Sequence, residues 1–339
     1  MSRAAFLVIA VLLSLPARAQ DATQQWRDCA DAKTPVISRI QACSAAIEAQ
    51  RNAPKHQAKA YYNRARAHED ANDLGAARAD LDRAIGLDAS DADFFLARGR
   101  VNGVQERYDQ AIADFSEMIR LKPQDYRGHH NRGVVLARQG RLADAIRDLD
   151  EAVRLSFADV APRLTRAEVR HQMGSYGAAI ADYDEALRLG GDNADTLAKR
   201  AGSLEALGRY DDAIADLTRA VRMAPADANA WNSRCWVRAI IGQLEPALAD
   251  CQEALRLKPG AAHILDSRGL VHLKAGRNAE AIADYDAALR VEPRLPTSLY
   301  GRGIARQRGG DATGAAVDIT AAKILYPDIA EEMARYGVR

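Results

Sequence analysis

The sequence predicts an all-α fold, a solenoid of stacked helix-turn-helix units, and three observations carry that expectation. From Ala58 the chain repeats itself every 34 residues through eight units to Ile329, without an insertion or deletion. Small residues recur at fixed places: position 20 of each unit is alanine in all eight (Ala77 through Ala315), and position 8 is always Ala, Gly or Cys. Apolar residues at positions 2–14 and 18–31 follow helical spacing, with glycine at position 15 in six units and proline at position 32 in five. Such a hairpin cannot bury its apolar face alone, so neighbouring hairpins must stack.

The elements follow in chain order. Residues 1–19 read as a signal peptide: Arg3, an apolar run from Ala4 to Leu15, the breaker Pro16, and the small-x-small site Ala17-Arg18-Ala19. The run is short for a bilayer span, which favours cleavage after Ala19 over an anchor. The mature chain is therefore expected in the periplasm or medium, without stable membrane insertion. Residues 20–57 look like a degenerate first hairpin, whose second helix is opened by Pro35 and carries the stripe Ile40, Cys43 and Ile47. The eight regular units occupy residues 58–329. Residues 330–339 should then form a capping helix, with Ile329, Met333 and Tyr336 on its apolar side. No linker divides the array, which reads as one domain.

Within a unit, glycine at position 15 supplies a left-handed cap for the first helix, and proline at 32 stops the second. Small residues at 8, 20 and 27 let the helix axes approach, which accounts for the abundance of alanine. Lys and Arg total 47 against 46 Asp and Glu, so the net charge of +1 gives no long-range field for nucleic acid or an anionic surface.

These residues resemble the tetratricopeptide repeat family over residues 58–329, in period, small positions and proline. The bulky aromatic expected at position 4 is kept at Tyr61, Phe95 and Trp231 and lost at Arg163, Leu197 and Leu265. The resemblance implies a right-handed superhelical solenoid whose first helices line a concave groove, with positions 2, 5, 9, 12 and 13 facing inward. Carried over, these positions give two zones. One is charged: Lys59, Tyr62, Arg66, Arg100, Arg127, His130 and Arg138, interspersed with Glu69, Asp70 and Asp93. The other is apolar: Asn232, Trp236, Ile240, Leu270, Leu273, Tyr300 and Ile304. An indole with aliphatic neighbours is wasteful on a solvated face, so the second zone is the better candidate for a partner. The competing reading is that Trp236 and Ile240 only fill space between helices. The lysine and asparagine of the family's carboxylate clamp are absent from positions 5 and 9.

Four cysteines allow three pairings. Cys235 takes the small position 8 and Cys251 takes position 24 of the same unit, both facing the interface between its two helices, and Cys29 and Cys43 bracket the first turn in the same manner. In an exported chain this favours Cys29–Cys43 and Cys235–Cys251 disulfides over four reduced core thiols. Position 7 is arginine and position 23 aspartate in all eight units, from Arg64 and Asp80 to Arg302 and Asp318. Ion pairing within a unit or with the next one explains a repeated pair that cancels itself better than a ligand-reading stripe does.

No phosphate loop, metal-ligand spacing or nucleophile motif appears, and the His129–His130 pair suits packing and groove surface. The expectation is a non-enzymatic scaffold with no catalytic residue, cofactor or metal, binding a protein or peptide in its groove. The alternative is a structural subunit acting through its convex face.

Overall fold

The structure is a computed structural model that describes residues 17–338. The expected leader lies outside these residues, except that Ala17–Ala19 open the first helix. The helices are α1 (Ala17–Ala30), α2 (Val36–Ala49), α3 (Pro54–Asp70), α4 (Leu74–Leu87), α5 (Ala92–Val104), α6 (Tyr108–Leu121), α7 (Tyr126–Arg138) and α8 (Leu142–Leu155). They continue as α9 (Ala161–Gln172), α10 (Tyr176–Gly190), α11 (Ala194–Ala206), α12 (Tyr210–Met223), α13 (Ala228–Ile240) and α14 (Leu244–Leu257). The last five are α15 (Ala262–Lys274), α16 (Asn278–Val291), α17 (Pro296–Arg308), α18 (Ala312–Leu325) and α19 (Ile329–Arg335). Two compact units emerge, the first ending at Phe157 and the second beginning at Ala158.

Each hairpin is punctuated where the repeat says it should be. Position 15 has positive φ in every unit: at the six glycines, and also at Asn72 (φ 60°) and Glu106 (φ 58°), which take the same left-handed turn without being glycine. Aspartates at position 34 open the next helix, as Asp91, Asp125 and Asp227 accept from the backbone N–H two residues on. In the N-terminal hairpin Pro35 precedes α2 as expected, and Cys43 and Ile47 are buried.

Inside the hairpins, positions 8 and 24 are matched in size. A Cβ on Gly99 would come within 2.6 Å of the Phe115 ring, and one on Gly269 within 2.7 Å of Tyr285. Alanine at position 8 faces leucine in two units, Ala65 with Leu81 and Ala201 with Leu217, and Tyr183 in a third, where it is Ala167. In one unit a covalent bond replaces this complementarity: Cys235 and Cys251, both fully buried, form a disulfide across a Cα–Cα distance of 5.4 Å. Cys29 and Cys43 are bonded likewise across 4.6 Å, joining α1 to α2.

The arginine at position 7 pairs with the aspartate at position 23 of its own unit in all eight repeats, with closest approaches of 2.6–2.7 Å. The same guanidinium often reaches back to position 25 of the preceding unit. Arg98 meets Asp82 at 2.8 Å, Arg200 meets Asp184 at 2.6 Å, and Arg132 donates to the Ser116 hydroxyl at 2.8 Å. The 7–23 pairing is thus made within each unit, and the contact with the neighbouring unit runs to position 25 instead. A second donor from position 11 joins the buried aspartate in several units: Asn102 on Asp114, Arg170 on Asp182, Arg238 on Asp250 and Arg306 on Asp318. Because each pair closes within its own hairpin, a slip between the two helices of a unit would strand a buried charge, so the ladder fixes the register of each hairpin.

Candidate functional site

The charged zone lies in the first unit, and its charges are spent on one another. Asp93 is held by Lys122 and Arg127, each at 3.0 Å, and Arg127 also grips Asp125 at 2.6 Å. Arg100 stands 3.8 Å from Glu69, and Arg39 pairs with Asp70. Lys59 sits 4.5 Å above the Tyr62 ring, with Arg66 on the same ring at 6.0 Å. His130 is half-buried beside Tyr126, with ring centres 6.4 Å apart. Arg100 and Arg127 are thus matched with acids, and Arg66 and His130 lie by aromatic rings, while one buried oxygen of Glu69 is left without a hydrogen bond.

The apolar zone lies in the second unit, and there the structure departs from a solvent-facing strip. Ile240, Leu270, Leu273, Tyr300 and Ile304 are all buried. The cover is the end of the chain. Ile329 and Met333 of α19, with Val338 beyond it, are buried in the same cluster as Leu270, Leu273 and Ile304. Tyr336 meets the Trp236 indole edge-to-face at a centroid distance of 5.2 Å. Lys274 fixes this arrangement: its Nζ donates to the Ile240 carbonyl at 2.8 Å and to the Tyr336 carbonyl at 2.7 Å. Burial pushes the Lys274 ammonium below its usual range. The C-terminal segment is thus more than an end cap; it fills the apolar part of the groove in cis.

What stays open has both polar and apolar walls. A cavity of about 330 Å³ lies among α11, α12, α13 and α15, with Asn232 and Trp236 from the expected zone in its wall. Its titratable side chains are Glu205, His263 and Asp266, with the hydroxyls of Ser233 and Ser267 beside them. Asp266 is 8% exposed; burial pushes its carboxyl up to about 6, against the hydroxyls of Ser298 and Thr297, which donate to it at 2.5 and 2.8 Å. Burial also raises the Glu205 carboxyl, opposed by a hydrogen bond from Trp236. His263 is lowered by burial and by Lys258, and its Nε2 lies 3.2 Å from Asn229 Oδ1. The Asn232 Oδ1 is buried and has no hydrogen-bond partner. An unpaired buried amide oxygen costs about 1–3 kcal/mol, so it marks a place where a donor is missing.

A second cavity, of about 450 Å³, adjoins the first through Gly202 and Glu205 and is closed by Tyr326, Glu332, Arg335 and Tyr336. Of the apolar zone expected from the sequence, Asn232 and Trp236 line this cavity, and sequence reasoning passed over Glu205 and Asp266 beside them. Both stand at inward positions, 12 and 5, so the register itself held the signal. Among the described residues, no group of three His, Cys, Asp or Glu side chains is arranged to hold a metal ion, and no helix is long and apolar enough to cross a membrane.

Tetratricopeptide repeat profiles match residues 58–91, 96–159, 164–228, 198–262 and 267–328. No curated protein matches the sequence. Among solved structures the chain is similar to a tetratricopeptide repeat protein from Parabacteroides merdae, at 15% identity and a TM-score of 0.57 over 78% of this chain and 98% of that one. It is similar to pilF of Pseudomonas aeruginosa at 19% identity and a TM-score of 0.54, over 61% of this chain and 94% of that one. It is also similar to a chain of the APC/C hetero-tetramer Cut9-Hcn1 at 12% identity and a TM-score of 0.58, over 93% of this chain and 66% of that one. At such identities the likeness concerns the fold.

Proposed function

The chain belongs to the tetratricopeptide repeat family, and from that premise we propose that it is a non-enzymatic scaffold holding an extended protein or peptide segment in the groove of its second unit. The observation that carries this reading is the open cavity beside Trp236, where a buried amide oxygen lacks a donor although the surrounding groove is packed. An exported location is supported by the leader-like N-terminus and by the absence of free cysteines among the described residues. The first unit offers a weaker site, because a partner would have to break ion pairs already made. Action through the convex face alone is the competing reading.

Ala198 lines the cavity and is half-buried on α11, so a larger side chain there occludes the space without removing a core contact. Affinity recovery from solubilised native envelopes should lose at least tenfold of the bound partner with Ala198→Trp. Undiminished recovery by a folded Ala198→Trp chain would refute binding in this groove.

A further inference from the structure

The cavity between α11, α13 and α15 has a chemistry more specific than a generic peptide groove. The polar groups on its wall are the Glu205 and Asp266 carboxyls, the Asn232 amide, the His263 imidazole and the Ser233 and Ser267 hydroxyls, so its only fully charged candidates are acids. No lysine or arginine lines it. Neither Glu205 nor Asp266 forms an ion pair among the described residues. This is unusual in a chain whose other buried carboxylates at position 23 each carry at least one arginine. The indole of Trp236 supplies an aromatic wall, and Ala198, Ala201 and Val237 supply apolar ones.

Two uncompensated carboxyls withdrawn from water, an acceptor without a donor and an aromatic face define a host for a cation with hydrogen-bond donors. A buried carboxylate is stabilised when a counter-charge arrives. An ammonium or guanidinium over an indole adds cation–π attraction. The raised Asp266 carboxyl fits the same picture, since a bound cation favours its ionised form. At about 330 Å³ the space sits at the small end of ligand pockets, suited to one long side chain.

We infer that this cavity is a specificity pocket for a basic side chain, lysine or arginine, presented by an extended peptide lying in the groove. The inference rests on the groove reading above and names the partner's chemistry. Glu205 and Asp266 supply the charge, Asn232 Oδ1 accepts one N–H, and Trp236 covers the alkyl stem. The chain's own C-terminal segment, buried at Met333 and Val338, occupies the neighbouring apolar part and borders the pocket with Tyr336.

The test pans the immobilised, disulfide-intact mature chain against a fully randomised twelve-residue peptide library. A selected peptide is then titrated by Trp fluorescence beside its lysine- or arginine-to-norleucine counterpart. The expected result is a motif with a basic residue at one fixed position, and at least tenfold weaker binding of the norleucine peptide. Glu205→Gln with Asp266→Asn should shrink that preference to within about twofold. The half-buried Glu205→Gln alone, which leaves the packed core untouched, should reduce it measurably. Two results overturn the inference. A motif lacking a basic residue, yet lost with Ala198→Trp, leaves the groove reading standing and removes the cation pocket. No enrichment above the Ala198→Trp background removes both.

Discussion

The grooves of the two units are built from the same inward repeat positions, yet they end in opposite electrostatic states. In the first unit Asp93, Asp125 and Glu69 each face an arginine, and Arg66 and Lys59 lie on the Tyr62 ring. In the second, the half-buried Glu205 and the buried Asp266 line a cavity with no cation, and apolar neighbours are covered by the chain's own end. The difference teaches that charge content is a poor guide to a binding face. Arginines in the first zone are matched by acids, whereas the Glu205 and Asp266 carboxyls have only neutral hydrogen-bond donors, which leaves free energy for a cationic guest to recover.

The largest expected effect separates how firmly the two units hold their ladders. Asp250, 2% exposed, accepts from both Arg234 and Arg238, whereas Asp80 is paired chiefly with Arg64, which also reaches the Ser44 hydroxyl. Asp250→Ala takes the carboxylate from two arginines, leaving Arg234 the Thr218 hydroxyl and Arg238 a 3.5 Å contact with the Pro246 carbonyl, and should cost about 3–5 kcal/mol. Asp80→Ala should cost less, about 2 kcal/mol, because Arg64 keeps a partner and some water. Urea denaturation monitored by circular dichroism checks the order; equal losses would break the comparison.

The disulfides come next. Cys235→Ser with Cys251→Ser removes a loop-closing bond and leaves positions 8 and 24 both small, where other hairpins match a small residue with a large one. A loss of about 3 kcal/mol is expected, concentrated in α13 and α14 by hydrogen exchange. Exchange that rises equally in α5 and α6 would show that the bond acts on the whole array.

Asp266 gives a pH signature that sharpens the contrast. Its folded carboxyl is raised to about 6 from the ordinary range near 4, so its contribution is fully present below that range and is lost as pH rises through about 6. Asp266→Asn should therefore stabilise the chain by about 3 kcal/mol near pH 7.5 and change little near pH 4. The observable is the difference in urea midpoint between variant and parent at the two pH values, and a difference independent of pH contradicts the assignment.

The smallest effect lies in the first unit, where Glu106 takes the left-handed turn that six other units give to glycine. Glu106→Gly should raise stability by about 1 kcal/mol, net of the entropy glycine adds to the unfolded chain. A lower melting temperature for this variant would show that the Glu106 side chain contributes more than its strained backbone costs.

Most of the architecture was legible because a repeat carries its own internal controls. Eight copies of Arg at 7 and Asp at 23 made the ladder readable, and the substitution of Cys235 and Cys251 at two interface positions made their bond readable. Glu106 and Asn72 as left-handed caps were not legible, since each breaks the glycine pattern that revealed the turn. The groove was half legible. Asn232 and Trp236 stand out by departing from their columns, but the covering of Leu270, Leu273 and Ile304 depends on where a non-repeating segment of ten residues folds back. Periodicity describes neighbours and is silent about Tyr336 meeting Trp236, 100 residues away in the chain.

The central claim is that the second unit's groove, and not the first's, receives a partner. A photo-crosslinking amino acid placed at His263, on the rim of the open cavity, and separately at His130, on the charge-paired face, tests it in the native cell. The account predicts a discrete adduct from position 263, suppressed by Ala198→Trp, and none above background from position 130. Adducts from position 130 alone would contradict it.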